Sequence, residues 1–296
     1  MAHNHHHGHQ HDTENISTAF FLNLTFTIIE IIGGLLTNSV AIMSDALHDL
    51  GDSLSLGLAW YFQKVAKKGR DETFSYGYKR FSVLGAMINA LVLIIGSVFI
   101  LQETIPRLLQ PQTPNVQGMF WLAILGIVVN SAAVFKLKKG TSLNEKVISL
   151  HLLEDVLGWA AVLVGSILMY FFDLPIIDPL LSIGIAIFIL INVYQSLKTA
   201  LNIVLQAVPT DFNIKKMKTD FIHKYPKIQS IHDVHTWTMD GEYNILTMHI
   251  VLNDNHMTSE LQQLKKDLRH DLEACDIQHA TIEFEMIDED CELVDC

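Results

Sequence analysis

The sequence predicts an α-helical membrane protein of six transmembrane helices with a C-terminal α+β domain on the cytosolic side. Three observations carry that fold class. Long apolar stretches fill the first 200 residues and then stop; basic residues gather in alternate loops; and from residue 206 the chain turns acidic, with apolar residues at regular spacing.

A bilayer core takes about 20 mostly apolar helical residues. Six stretches qualify, at 19–36, 39–66, 81–105, 116–135, 147–172 and 174–197. Lys64, Lys67, Lys68, Arg70, Lys79 and Arg80 lie between the second and third, and Lys136, Lys138, Lys139 and Lys146 between the fourth and fifth. The opposite loops are short and carry only Arg107. The positive-inside bias therefore puts the basic loops and both chain ends in the cytoplasm, in a multi-pass protein of the cell membrane. Ahead of the first stretch stands no cleavable signal peptide but a polar lead, residues 1–15, with six of the fifteen histidines in its first eleven residues. It has no apolar period and is expected to be disordered, a metal-gathering arm at most. Residues 16–200 are then the membrane domain, 201–209 a junction and 210–296 the cytosolic domain.

The cytosolic part reads α-β-β-α-β. Ile214, Met217 and Phe221 mark one helix; Leu261, Leu264, Leu268 and Leu272 mark another. In the last strand Ala280, Ile282, Phe284 and Met286 alternate with His279, Thr281, Glu283 and Glu285. One strand face is thus apolar and the other rich in metal-type ligands. Residues 206–296 carry 8 Lys/Arg against 18 Asp/Glu, a net charge of −10. Such a surface argues against nucleic acid and anionic lipid headgroups and suits a cationic ligand. Cys275, Cys291 and Cys296 fall on the cytosolic side, where disulfides are rare. Cys291 and Cys296 are spaced more widely than a C-x-x-C zinc pair, so their spacing leaves thiol or ligand open.

The membrane segments contain charges that need an explanation. Asp45, His48, Asp49 and Asp52 recur at i, i+3, i+4 and i+7, one face of a helix. Each carboxylate at mid-bilayer costs about 3 kcal/mol, so three facing lipid would cost on the order of 9 kcal/mol. They must face the bundle interior or a water-filled cavity. The fifth stretch repeats the theme with His151, Glu154 and Asp155, so two separate helices carry His-x-x-x-Asp. Two imidazoles and two carboxylates from facing helices make the tetrahedral set zinc prefers, whereas magnesium or calcium would favour all-oxygen shells. The competing reading is a polar network that merely orients the bundle. Asp45 and Asp49 are also four apart, so spacing alone does not choose the ligand pair. Asn23 and Glu30 on the first stretch fit helix packing as well as an ion path.

Four motifs in order, N-S-V-A-I-M-S-D-A-L-H-D-L-G-D, Y-G-Y-K-R, H-L-L-E-D-V-L-G and H-D-V-H-T-W, resemble the cation diffusion facilitator family, from about Ala19 to Met286. The resemblance implies a homodimeric, proton-coupled zinc exporter with six transmembrane helices and a ferredoxin-like cytosolic domain. It selects His48, Asp52, His151 and Asp155 as the transport site, the two-His, two-Asp pattern of the zinc-selective branch, and leaves Asp45, Asp49 and Glu154 in supporting or access roles. In the cytosolic domain it implies a regulatory metal site at His232, His249 and Glu285. His235 and Trp237 are expected to pack between strands or against the dimer partner. The chain departs from the family at Ser82, where relatives often carry glutamate, and at Lys79, where vertebrate-type members have histidine. The short loop at 136–144 points to a bacterial-type zinc, cadmium and cobalt efflux protein.

Zinc and protons compete for such ligands, and imidazole titrates near neutrality, so exchange of outward zinc for inward protons is the expected mechanism. The chain has no G-x-x-x-x-G-K-[ST] loop to couple nucleotide hydrolysis. The rival readings are a passive metal channel or sensor, and an intramembrane metalloenzyme with Glu154 as base. The enzyme reading lacks H-E-x-x-H and an open zinc position.

Overall fold

A computed structural model of the chain describes residues 9–137, 143–254, 257–287, 289 and 291. Six helices come first: α1 (His9–Thr37), α2 (Val40–Ala66), α3 (Phe81–Leu109), α4 (Val116–Leu137), α5 (Leu143–Phe172) and α6 (Ile177–Val204). At 1.5 Å per residue these are about 33–45 Å long, enough for a hydrocarbon core of about 30 Å. Each contains one of the six apolar stretches almost entire. Among the described residues, Phe81–Leu109, Leu152–Phe172 and Ile177–Val204 are long and apolar enough to cross a membrane by themselves. In α2 the carboxylates and histidine dilute the apolar run, which is why its burial against other helices matters.

Residues 9–15 correct an expectation. They were expected to be disordered but continue α1 as helix. Extending a formed helix adds one hydrogen bond per residue fixed. Residues 1–8 lie outside the described residues.

The chain divides into two compact units, Met1–Phe62 with Gly85–Leu197, and Gln63–Leu84 with Lys198–Cys296. The first is inside-out by the standards of a water-soluble fold. Leu36, Phe99, Trp121, Phe135, Tyr170, Phe171 and Tyr194 are exposed, while Thr27, Glu30, Asp45, Asp49, Ser97, Thr104, Asn130, Asp155 and Ser182 are buried. Lipid accepts the former and cannot hydrogen-bond the latter. Two apolar clusters hold the bundle. Phe26, Ile42, Met119, Trp159 and Val162 join α1, α2, α4 and α5; Ala90, Leu93, Ile189 and Val193, with Leu47 against them, join α2, α3 and α6. Helix α2 borders both clusters and is the central element.

The start of α2 is fixed by specific polar contacts. Asn38, at φ 53°, closes α1: its N–H donates to Leu35 O, and the Ser39 N–H donates to Gly34 O. The Ser39 hydroxyl caps α2 by accepting from Ile42 N at 3.2 Å. Asp178 of α6 accepts from Ser39 Oγ at 2.5 Å, Val40 N at 2.9 Å and Ala41 N at 3.2 Å, placing a carboxylate on the helix N-terminus. One turn on, the hydroxyls of Ser44, Ser182 and Thr104 link α2, α6 and α3. Gly126 lets α4 approach α5, because a Cβ there would lie 2.3 Å from the Trp159 ring.

In the second unit, α7 (Ile214–Lys224) and α8 (Thr258–Ala274) cover a three-stranded sheet of β1 (Ile228–Thr238), β2 (Asn244–Leu252) and β3 (Ile277–Met286). The strand order is β1-β2-β3, with β1 antiparallel and β3 parallel to β2. Met217, Phe221, Leu264, Leu268 and Leu272 pack on Ile231, Leu246, Met248, Ile250 and Ile282, so the helical and strand periods read from the sequence meet in one core. This is the α+β, ferredoxin-like class expected.

The loop before α3 belongs to the same unit and is folded on itself. Asp71 accepts from Thr73 N, Phe74 N and the Tyr78 hydroxyl, and the Tyr78 bond helps hold its carboxyl below the usual carboxylate range. Lys79 Nζ lies 3.7 Å from Asp240 and 4.6 Å from the centre of the Tyr243 ring, while Tyr76 meets His279 edge to face. The Ser82 hydroxyl donates to Lys79 O.

Candidate metal centres

The four polar residues of α2 stand on one face, as their spacing requires, but they are not equally buried. Asp45 is 5% and Asp49 2% exposed, while the side chains of His48 and Asp52 retain 15% and 25%. His48 Nε2 is 3.6 Å from Asp52 Oδ2, and its ring packs edge to face on Phe188 of α6. Asp45 lies against α5, its Oδ1 being 3.3 Å from where a Cβ on Gly158 would stand. Asn23 of α1 donates to Asp49 O and Ser53 Oγ, which gives it a helix-joining role.

From α5, Asp155 is 4% exposed and interacts electrostatically with Asp45 and Glu30. Glu30, itself buried, also packs near Asp49 and Trp159. The helices therefore gather carboxylates from α1, α2 and α5 around the inner face of α2. A group of this charge density away from water requires a cation or protons. The His151 side chain lies outside the described residues; its backbone is one turn before Asp155 on α5. Glu154, read from the sequence as sharing that face, is exposed instead. Adjacent helical residues are 100° apart, and burying Asp155 turns Glu154 outward.

The second centre lies on the exposed face of the sheet. Register places His232 of β1 directly opposite His249 of β2, with ring centroids 5.4 Å apart. Glu285 of β3 reaches both: Oε1 is 2.6 Å from His249 Nδ1 and Oε2 is 3.2 Å from His232 Nε2. Glu285 is buried although its strand face is otherwise wet. His232 Nε2 is also buried and makes no hydrogen bond. These atoms form a metal-type donor set converging on one point, and a cation there would satisfy them.

The strand β1 bulges between His232 and His235, where Asp233 takes φ 46°. This turns its carboxylate toward His235 and His249. Asp233 Oδ1 is 2.7 Å from His235 Nε2, and Oδ2 is 3.6 Å from His249 Nε2. Glu283 Oε2 is 3.5 Å from the same His249 nitrogen. His249 thus presents Nδ1 to Glu285 and Nε2 to carboxylates, the arrangement by which outer carboxylates orient a metal-binding imidazole. His235 is exposed and paired with Asp233 rather than packed between strands. Sequence reasoning missed Asp233. The Asp between His232 and His235 in H-D-V-H was the available signal.

A helical bundle with carboxylates and imidazole turned inward, joined to a small acidic domain bearing a His/His/Glu cluster, defines a membrane protein that handles cations. The chain belongs to the cation efflux family: the family's "Cation efflux transmembrane domain" matches residues 16–205, and "Cation efflux protein, cytoplasmic domain" matches residues 209–287. It is similar to the cadmium, cobalt and zinc/H(+)-K(+) antiporter of Bacillus velezensis, at 35% identity over 96% of this chain and 92% of the relative. It is also similar to the metal cation efflux protein CzcD of Cupriavidus metallidurans, at 33% over 94% and 90%. The zinc transporter ZitB of Escherichia coli is 28% identical over 100% of this chain and 96% of its own length.

Proposed function

We propose that this chain is a zinc efflux antiporter, a transporter and not an enzyme, with cadmium and cobalt as related cargo. The relatives are named for these metals, two of them for exchange against H(+) and K(+), and the family is one of cation efflux. In this reading the metal is carried from the cytosol by His48 and Asp52 of α2 with His151 and Asp155 of α5. The observation that carries the reading is the burial of Asp155 beside the α2 carboxylates in a bundle whose outer surface is apolar.

Each residue has a definable part. Zinc and protons compete for the same imidazole nitrogens of His48 and His151, so each zinc delivered outward frees ligand atoms that can take protons inward. Asp52 and Asp155 supply the two negative charges that compensate the cation at membrane depth. Asp45, Asp49 and Glu30 border the ligands and supply further negative charge along the approach. The membrane domain is residues 16–200. Residues 210–296 form a cytosolic domain that pairs two copies of the chain and senses zinc at His232, His249 and Glu285, with both chain ends in the cytoplasm. The match to the dimer-type cytoplasmic domain supports the homodimer.

Expression in cells stripped of their own zinc exporters tests the proposal. Cells making this chain are expected to grow at zinc concentrations that stop the parent and to hold less zinc. Equal or greater zinc content than the parent would favour the passive channel or sensor.

A further inference from the structure

We propose that Cys291 is the fourth ligand of a closed zinc centre with His232, His249 and Glu285, so that one protomer supplies the whole donor set. The inference rests on the regulatory reading of those three residues and adds the ligand that decides what kind of site it is. Cys291 Sγ is 3.6 Å from His249 Nδ1, and one donor atom from each of the four residues falls within 4.8 Å of all the others. In a tetrahedral zinc site with bonds of about 2.0–2.3 Å, donor atoms stand about 3.3–3.7 Å apart. Small side-chain rotations therefore close the set without backbone movement.

The chain is folded so as to bring the thiol there. After β3 it turns at Met286–Glu289, where Glu289 N donates to Met286 O at 3.0 Å and Met286 N donates to Glu289 Oε2 at 3.1 Å. The sulfur arrives beside His249 Nδ1, which Asp233 and Glu283 aim inward from the other side of the ring.

Charge and coordination number argue the same way. Three ligands, His/His/Glu, would leave zinc with a net positive charge and an open position, the form found at catalytic centres. A thiolate from Cys291 cancels the remaining charge and fills the position, giving a neutral, closed His2GluCys centre. The thiol loses its proton on binding, as a zinc-bound sulfur does. Thiolate also biases the site toward zinc and similarly soft ions and away from magnesium and calcium. Such a centre joins all three strands to the segment that follows them.

Cobalt(II) in place of zinc reports the ligand directly in the full chain in detergent. The Asp155→Ala background is used to suppress cobalt at the membrane site. A thiolate-to-cobalt charge-transfer band in the near ultraviolet is expected, lost in Cys291→Ser and retained in Cys275→Ser and Cys296→Ser. Cys291→Ser is expected to weaken zinc binding at this centre by more than about 100-fold, beyond the 10–100-fold that loss of a supporting contact costs. Tetrahedral visible bands that require His232 and His249 without any charge-transfer band would overturn the role of Cys291 and leave the three-ligand sensor standing. A band that vanishes with Cys275 or Cys296 instead would also overturn it. Absence of any cobalt signal dependent on His232 and His249 would overturn both this inference and the regulatory reading beneath it. Absence of the band in the Asp155→Ala chain with all three cysteines intact would overturn the role of Cys291 without relying on how any cysteine variant folds.

Discussion

Asp155→Ala is expected to abolish zinc export, with the chain still inserted and dimeric. The residue is buried on α5 among carboxylates of α1 and α2. In the proposed transport site, removing it takes one of four ligands and one of two compensating charges from the transported ion. The loss should exceed about 100-fold, more than an outer residue that only orients a ligand costs. Folding should survive, because replacing a crowded buried carboxylate by alanine removes repulsion as well as a polar contact. The same loss is expected for His48, Asp52 and His151, and a milder one for Asp45→Ala. Zinc flux into vesicles measures the effect. Full flux in Asp155→Ala would remove α5 from the metal path.

Joint replacement of His232 and His249 by alanine is expected to erase the zinc-dependent compaction of the cytosolic domains while reducing transport without eliminating it. The two rings face each other across paired strands, and Glu285 lies against both. With a net charge of −10, residues 206–296 of two protomers repel one another, and bound cations lower that repulsion. Zinc at the sheet should therefore draw the pair together and bias the membrane helices toward one state, and the coupling must run both ways. Site-to-site coupling is typically 5–150-fold, so a transport deficit in that range is the expected size. The contacts of Lys79 with Asp240 and Tyr243 show that the loop leading into α3 packs within the cytosolic unit. Pair-distance spectroscopy on spin-labelled full chain, with and without zinc, reads the compaction. Unchanged compaction and unchanged transport in the double variant would make the cytosolic site purely structural.

What the sequence made legible is what depends on short spacings. The i, i+3, i+4, i+7 pattern placed Asp45, His48, Asp49 and Asp52 on one face of α2, and the leucines of α8 and the alternation of β3 located the cytosolic core. Resemblance, not spacing, picked out His48 and Asp52 over Asp45 and Asp49. The features that were not legible arise where distant segments meet. Asp178 reaches 138 residues back to cap α2. Asp233 matters because β1 bulges there, and nothing local in H-D-V-H dictates that its carboxylate turns to His249. Glu154 was misplaced because a helical wheel gives relative angles and leaves open which side of a pair of neighbours faces inward. Cys291 could be placed beside His249 only once the turn after β3 was seen.

Zinc flux in proteoliposomes under an imposed pH difference tests the exchange of zinc for protons most directly. Purified chain is reconstituted with a proton gradient directed out of the vesicle, a zinc dye and a pH dye inside, and zinc outside. Zinc entry is expected to be accelerated by the gradient, to raise the internal pH as protons leave, and to disappear with Asp155→Ala. Zinc entry of equal rate with and without the gradient, unaccompanied by proton movement, would contradict antiport and leave a passive channel.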